Sequence, residues 1–320
     1  MRTANIAVPS PATGSFRLPL PMLVAAFCLL WSSAFAAAKL SIADCPPLIV
    51  LTARFLIAAV ATFGAAAIVG IPLKLKRRDL LLFALLGIAN QAIFLGLSYV
   101  GIRSTSSGLA ALIISSNPVL TAVLAVAFLD ERMTWRKAAG LLLGVAGVAV
   151  VVGSRLAGSV DHPAGIALLL MALVSLVGGT ILYKKFAPTG DLWGGLWVGN
   201  GVQSLSAGLA TLPFAFAFES VGDIVPSWRL GASLAYLGLF VSVFAYLIWF
   251  HLLNVSGATA ASSYHFMMPP LGLLFGWLLL GEQVALTDLI GIVPVALGIY
   301  LVTRPASTRS RPRNTAMQCH

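Results

Sequence analysis

Long apolar runs without charged residues dominate this chain, and they determine the solvent in which it folds. Hydrophobic residues make up 59% of its 320 residues and charged residues 9%, with a mean hydropathy of +0.97. A bilayer offers no partners to backbone N–H and C=O groups, so a spanning segment is a helix of about 20 apolar residues or a strand of a closed barrel. Because the runs are long and do not alternate, they predict an all-α integral membrane protein.

Ten such runs are separated by turns and charged loops. We place the spans at residues 19–38, 47–70, 80–101, 104–128, 135–153, 164–185, 192–216, 230–250, 256–280 and 285–303. The first run, with Arg17 before it and Ala34-Phe35-Ala36 near its end, also resembles a signal peptide. Cleavage is the alternative, but it would leave an odd number of spans, so we interpret this run as a transmembrane helix.

The net charge of +10 reports membrane topology, because the basic residues lie in short loops and tails. With a cytoplasmic amino terminus, most Lys and Arg residues fall inside, and Arg103, Arg155 and Arg229 fall outside. We therefore expect a multi-pass protein of a bacterial-type inner membrane, with both termini in the cytoplasm and the lipid bilayer, not nucleic acid, as its environment.

The chain repeats itself at an offset of 151 residues. The matched pairs are Pro118 and Pro269, Glu131 and Glu282, Gly140 and Gly291, Gly147 and Gly298, and Gly87 and Gly238. A repeat of five spans is odd, so its second copy enters the membrane from the opposite side. We predict ten transmembrane helices as two inverted five-helix repeats, residues 19–154 and 163–303, between tails 1–18 and 304–320, with a substrate site between the repeats.

Four segments resemble a known family. These are LLWSSAFAAAKL, in which Lys39 ends the first span, LTARFLIAA around Arg54, and the paired segments FLDERMT and LLGEQVA. Together, in this order, they resemble the two-domain EamA-like exporters of the drug/metabolite transporter superfamily over residues 20–303. The resemblance implies a central cavity between the repeats and export of amino acids or other small metabolites, with no cofactor.

Two prolines at matched positions point to the substrate site. Pro118 and Pro269 each lack an N–H near the middle of a span, which interrupts the helical hydrogen bonding. Interrupted helices at corresponding places in two repeats are typical of transporter sites. A kink that serves packing alone is the alternative. The residues that precede the two prolines and could join the site are Ser116 and Asn117 in one repeat and Tyr264 and His265 in the other.

His265 is predicted near the bilayer midplane, where an ionisable side chain suggests a function. It either takes up a proton during transport or stays neutral and bonds a backbone carbonyl. Arg54 also lies inside a span, about 10 Å from its outer end by the helical rise. It either binds a substrate carboxylate or extends outward towards Asp44.

Further candidates for the site are buried amides and aromatic residues, namely Asn90, Gln91, Asn200, Gln203, Trp31 and Tyr246. The alternative for the amides is hydrogen bonding between helices. Tyr99 and Trp249 could line an aromatic cavity with Trp31 and Tyr246, but they lie close to span ends, so we expect them to anchor the protein at the interface. Glu131 and Glu282 also lie at span ends, where they are expected to stabilise the start of the next helix.

These features favour a secondary transporter of a small amphipathic molecule, working by alternating access and, by resemblance, as an exporter. A passive channel is the first alternative, although no ring of like charges is present. An enzyme is less favoured, because the chain has no HExxH, GxSxG or nucleotide-binding motif. The cysteines have no metal-ligand spacing, so we expect neither metal nor cofactor; a monomer is compatible with the sequence, which does not fix the oligomeric state.

Overall fold

The computed structural model describes residues 18–105, 113–153, 162–187, 192–280 and 286–303. The predicted tails, apart from residue 18, and the predicted helix-end residue Glu282 lie outside these ranges. All regular secondary structure in the described ranges is helical, as the apolar runs predict.

The helices follow one another in short connections. They are α1 (Leu20–Asp44), α2 (Pro47–Val69), α3 (Arg77–Ser104), α4 (Ile113–Phe128), α5 (Trp135–Gly153), α6 (Pro163–Phe186), α7 (Leu192–Phe218), α8 (Trp228–Ser256), α9 (residues 258–280) and α10 (Leu286–Thr303). Among the described residues, six helices are long and apolar enough to cross a membrane: α1, α2, α3, α6, α8 and, over Gly194–Phe218, α7. Shorter apolar helical stretches occur at Ile113–Phe128 and Val293–Thr303.

Helix packing follows the sequence repeat. Exchanging each helix of one half with its counterpart in the other turns the packed pair α1 and α8 into the pair α6 and α3, and the packed pair α1 and α9 into the pair α6 and α4. Both of the resulting pairs are also packed. The pairs α2 with α7, α4 with α9 and α5 with α10 map onto themselves and are also packed. The two halves are therefore related by an approximate two-fold exchange in their contacts.

The crossing of α5 and α10 shows this exchange at single residues. A Cβ atom on Gly140 would meet the backbone of Gly298, and a Cβ atom on Gly147 would meet the backbone of Gly291. Since the repeat pairs Gly140 with Gly291 and Gly147 with Gly298, each contact is the symmetry mate of the other. Glycine is needed here because the two backbones approach too closely for any side chain.

Both repeats also interrupt their helices at matched places. Within α3, residues Gly87–Ile93 are π-helical, and within α8 residues Tyr236–Ala245 are π-helical. The second segment includes residues 238–244, which correspond to the first segment at the 151-residue offset. In α4 the helix turns at Ser116 before it continues, and α9 passes through a 3-10 turn at Tyr264–Met267. The predicted interruptions before Pro118 and Pro269 are thus present.

Two carboxylates join helix ends across the repeats. Glu131, after α4, accepts hydrogen bonds from Ala258 N at 2.8 Å and from Thr259 Oγ1 at 2.6 Å, at the start of α9. It therefore binds the first residues of α9, and its contact with the next helix in the chain, α5, is an ion pair with Lys137 at 3.6 Å. Burial raises the pKa of Glu131, but the hydrogen bonds and the nearby Lys137 ammonium outweigh this effect, so the pKa lies below its usual value.

Glu219, after α7, makes a similar connection at another helix start. Its two carboxylate oxygens accept hydrogen bonds from Leu48 N at 3.0 Å and Ile49 N at 2.9 Å, in the first turn of α2. A negative charge is favourable there because the first N–H groups of a helix lack backbone partners. Each repeat thus supplies one carboxylate to a helix of the other.

Candidate functional site

A group of polar side chains from α2, α3, α7 and α8 is buried between the two repeats. Arg54 Nε donates to Ser242 Oγ at 2.8 Å, and Asn200 Nδ2 donates to the carbonyl oxygen of Ser242 at 3.0 Å. Tyr246 OH donates to the carbonyl oxygen of Asn90 at 3.1 Å. The phenol of a further tyrosine lies beside the guanidinium of Arg54. The central polar cluster, as we call this group, consists of Arg54, Asn90, Tyr99, Asn200, Ser242 and Tyr246.

The π-helical segments explain where this cluster forms. A π-helical turn shifts the backbone bonding by one residue and is frequent at functional sites. The carbonyl groups of Asn90 in the first segment and Ser242 in the second accept side-chain hydrogen bonds. The carbonyl of Ala89 does the same, from Ser175 Oγ at 2.9 Å. In an apolar surrounding these bonds offset the cost of the irregular backbone.

Several polar atoms in and beside the cluster have no hydrogen-bond partner among the described residues. Gln91 and Gln203 are fully buried, at the crossing where Gly87 of α3 packs against the backbone of Gln203. Buried amides without partners cost free energy, and such groups are rare unless a ligand or water completes them. The atoms concerned include Asn90 Oδ1, Tyr99 OH, Asn200 Oδ1 and both side-chain polar atoms of Gln91 and of Gln203.

An aromatic cluster adjoins the polar one and shares Tyr246 with it. The ring of His265 lies 5.6 Å from Phe27, 5.7 Å from Trp31 and 4.9 Å from Trp249, measured between centroids. Trp31 in turn lies 5.1 Å from Tyr246. Predicted site residues from α1, α8 and α9 are therefore brought together on one apolar wall.

His265 makes a contact with a backbone carbonyl. Its Nδ1 lies 3.1 Å from the carbonyl oxygen of Ser262, one turn earlier, and only 1% of the residue is exposed. Its Nε2 has no partner among the described residues. The three aromatic rings that surround it are uncharged.

The residues around Pro118 make local contacts. Asn117 is buried beside this proline, and its side-chain oxygen accepts a hydrogen bond from Thr121 Oγ1 at 2.8 Å, one turn along the same helix. The contacts described for Asn117 therefore do not connect it with the central polar cluster.

The residues around Pro269 reach the aromatic cluster instead. Tyr264 belongs to the buried apolar core that contains Phe27, Trp31 and Trp249, and its carbonyl accepts a weak hydrogen bond from Cys28 Sγ at 3.8 Å. Pro269 is buried one turn further along α9. The structure thus connects the interruption of α9, through Tyr264 and His265, with the aromatic cluster.

Two predictions about individual aromatic residues are wrong. The sequence predicts Tyr99 and Trp249 at the membrane interface, but both are buried, next to Arg54 and in the aromatic cluster respectively. Their helices end at Ser104 and Ser256, beyond the predicted span ends at residues 101 and 250, so neither residue lies in the last turn of its helix.

Arg54 does not extend outward to Asp44. It is 3% exposed and bonds Ser242, whereas Asp44 accepts a hydrogen bond from Ser227 Oγ. Sequence reasoning missed Ser242 and Phe27 as members of the two clusters. The only sequence signal for Ser242 is that it lies 151 residues after Gln91, a predicted site residue.

Known proteins with similar sequences and structures agree with this architecture. The profile of the EamA-like transporter family matches residues 20–153 and again residues 163–304. An uncharacterized transporter of Archaeoglobus fulgidus is 31% identical over 282 residues, which cover 86% of this chain and 95% of the relative. The uncharacterized inner membrane transporter YedA of Escherichia coli is 25% identical, over 90% of this chain and 92% of its own length.

A solved crystal structure shows the same fold. It superposes with a TM-score of 0.75, covering 88% of this chain and 97% of the other, at 18% sequence identity. The family and the named relatives indicate a membrane transporter rather than an enzyme. With two profile matches that together cover most of its length, the chain belongs to the EamA-like transporter family.

Proposed function

We propose that this protein is a secondary transporter that exports small amphipathic metabolites, amino acids or related compounds, by alternating access. The observation that carries the proposal is the central polar cluster at the interface of the two repeats, in which the side-chain oxygens of Asn90, Asn200 and Tyr99 lack hydrogen-bond partners among the described residues. A molecule with one polar and one apolar part matches the polar cluster and the adjoining aromatic wall.

We propose that all ten helices cross the bilayer, and contacts at the ends of α3, α6 and α8 agree with the sides that this topology assigns to them. Ser104, at the end of α3, accepts a hydrogen bond through its carbonyl from His162 N, before α6. Lys184, at the end of α6, donates to the carbonyl of Leu253, near the end of α8. Each bond joins segments that the charge pattern assigns to one side of the membrane, outside and inside respectively.

We propose that the two repeats, at residues 19–154 and 163–303, are inverted, which would account for this mechanism. A two-fold exchange of helix contacts with five helices per half requires opposite orientations in the membrane, which is the arrangement that lets two halves rock around a shared site. The carboxylates Glu131 and Glu219 connect the halves at opposite ends. Breaking one connection while the other holds would open the site to one side at a time.

We also propose that both termini, with the tails 1–18 and 304–320, lie in the cytoplasm. A carboxy-terminal fusion to a fluorescent protein that folds only in the cytoplasm should then fluoresce. A fusion that ends in the loop after α7, near Asp223, should stay dark. Fluorescence of the second fusion and not of the first would reverse the proposed orientation.

Transport itself is tested by counterflow in proteoliposomes. Vesicles are loaded with unlabelled amino acids or related organic acids, and uptake of a labelled trace is followed, with an inert sugar as the leak control. Saturable uptake that depends on the internal solute is expected. Equal entry of all solutes, sugar included, would support the channel instead, since a pore does not exchange one solute for another.

A further inference from the structure

The geometry points to a carboxylate of net charge −1, with an aromatic or aliphatic tail, as the preferred substrate of this site. This inference rests on the proposed transport function and narrows it, because it separates net-anionic acids from zwitterionic amino acids. Its basis is the positive charge of the central polar cluster, which comes from Arg54, and the neutral groups that surround this arginine.

Arg54 is a buried cation with neutral neighbours. Its Nε bonds the Ser242 hydroxyl, its guanidinium lies 5.9 Å from the ring centroid of Phe55, and the Tyr99 phenol lies beside it. Within the described part of the chain no carboxylate forms an ion pair with it. A guanidinium has five N–H donors, and one hydroxyl acceptor leaves most of them for a ligand.

The distribution of acidic residues in the sequence leaves this charge uncompensated. Of the ten Asp and Glu residues of the chain, nine lie outside the ten predicted spans, and Asp288 lies in the first turn of the last span. A buried charge without a counter-charge is unfavourable in a medium of low dielectric constant. A bound carboxylate would neutralise Arg54, whereas a bound zwitterion would leave the complex with its charge of +1.

The neighbouring groups fit the rest of such a molecule. A carboxylate accepts two parallel N–H bonds from an arginine, and the Tyr99 hydroxyl, which lies beside Arg54, is a further donor. Tyr246 lies within electrostatic range of Arg54 and packs against Trp31. An apolar tail attached to the carboxylate would therefore meet the aromatic cluster.

A ligand series that differs mainly in charge tests the inference on the unmodified protein. The probes are 3-phenylpropionate, phenylalanine and 2-phenylethylamine, which share a phenyl ring and a two-carbon chain and carry charges of −1, 0 and +1 at neutral pH. Binding is measured as the rise in melting temperature of the full chain in lipid nanodiscs. We expect 3-phenylpropionate to stabilise at concentrations about tenfold lower than phenylalanine, and 2-phenylethylamine not to stabilise.

Variants of Arg54 test whether its guanidinium causes the preference for the anionic ligand. Arg54→Gln should weaken 3-phenylpropionate binding about 100-fold, because it removes a charge-assisted bidentate contact. Arg54→Lys keeps the charge without the planar geometry and should retain part of the binding. Arg229→Gln, the same change at an exposed arginine at the start of α8, should bind as the original chain does.

Three results of the binding measurements would overturn the inference. They are equal or tighter binding of phenylalanine, unchanged binding of 3-phenylpropionate in Arg54→Gln, and no stabilisation by any of the three probes. If Arg54→Gln does not fold, the ligand series on the unmodified chain and the lysine variant decide the question. Saturable counterflow of phenylalanine with no preference for the anion would reject the inference and leave the transport function standing.

Discussion

The crossing of α5 and α10 and the two clusters of the candidate site lie in the same pseudo-symmetric arrangement of helices. They differ in how closely their residues follow the sequence repeat. At the crossing, the two close glycine contacts are mates under the 151-residue repeat. At several positions of the clusters the repeat is not kept, and a polar residue of one half corresponds to an apolar residue of the other. The residues that correspond at the 151-residue offset are Arg54 and Leu205, Asn90 and Val241, and His265 and Ile114.

This difference has a physical reason. A two-fold packing interface is satisfied when the same small residues occur twice. A small metabolite with a polar and an apolar end has no such symmetry, so a site that orients it needs different groups in the two halves. The comparison predicts that substitutions at the crossing change stability, whereas substitutions in the clusters change transport.

The largest effect on stability is expected for Gly298→Val at the α5–α10 crossing. A side chain there would meet the backbone of Gly140 and Gly144, so the helices must separate, at a cost of about 1–3 kcal/mol. Gly195→Val in α7 is the matched control, because no atom lies within 4 Å of its Cβ position. Melting temperatures in detergent measure the difference; equal melting of the two variants would contradict close packing at this crossing.

Gln203→Leu, beside the central polar cluster, should have the opposite effect on stability. Removing an amide whose polar atoms have no partners among the described residues should raise the free energy of unfolding by about 1 kcal/mol, while counterflow falls about tenfold. Ser206→Ala, one turn further on α7, is the contrast, because its hydroxyl donates to the Ala84 carbonyl at 3.0 Å and its loss should destabilise. A lower melting temperature for Gln203→Leu would mean that the amide stabilises the fold.

A smaller effect is expected from single hydroxyl groups. Tyr246→Phe removes the bond to the Asn90 carbonyl, and Tyr236→Phe removes the 2.6 Å bond between Tyr236 OH and Ser33 Oγ. Each loss should cost about 0.5–1.5 kcal/mol of stability. Only Tyr246→Phe should also slow counterflow, since Tyr246 joins both clusters; equal slowing in both variants would remove this distinction.

The smallest effect is expected on the pH dependence of transport in His265→Asn. The asparagine amide can replace Nδ1–H as the donor to the Ser262 carbonyl, so the shape of the pH profile should stay unchanged even if the rate falls. Counterflow across a range of pH, normalised to its maximum, gives the profile. A flattened profile together with lost pH-driven accumulation would instead identify His265 as a proton carrier.

The amino-acid sequence by itself determined the helical membrane fold and most of the helix positions. The apolar runs are sufficient for this because lipid allows almost no other backbone arrangement. The 151-residue repeat also predicted the interruptions before Pro118 and Pro269, since a missing N–H acts locally and needs no tertiary contact.

Only the tertiary structure decided which side chains meet. The contact of Arg54 with Ser242 and that of Glu131 with the first residue of α9 join residues that are 188 and 127 positions apart in the chain. Hydropathy assigns a residue to a depth in the membrane but not to a face of its helix. The facing partner is fixed by how the helices pack, which is why the sequence favours the membrane interface for Tyr99 and Trp249 whereas the fold buries both side chains.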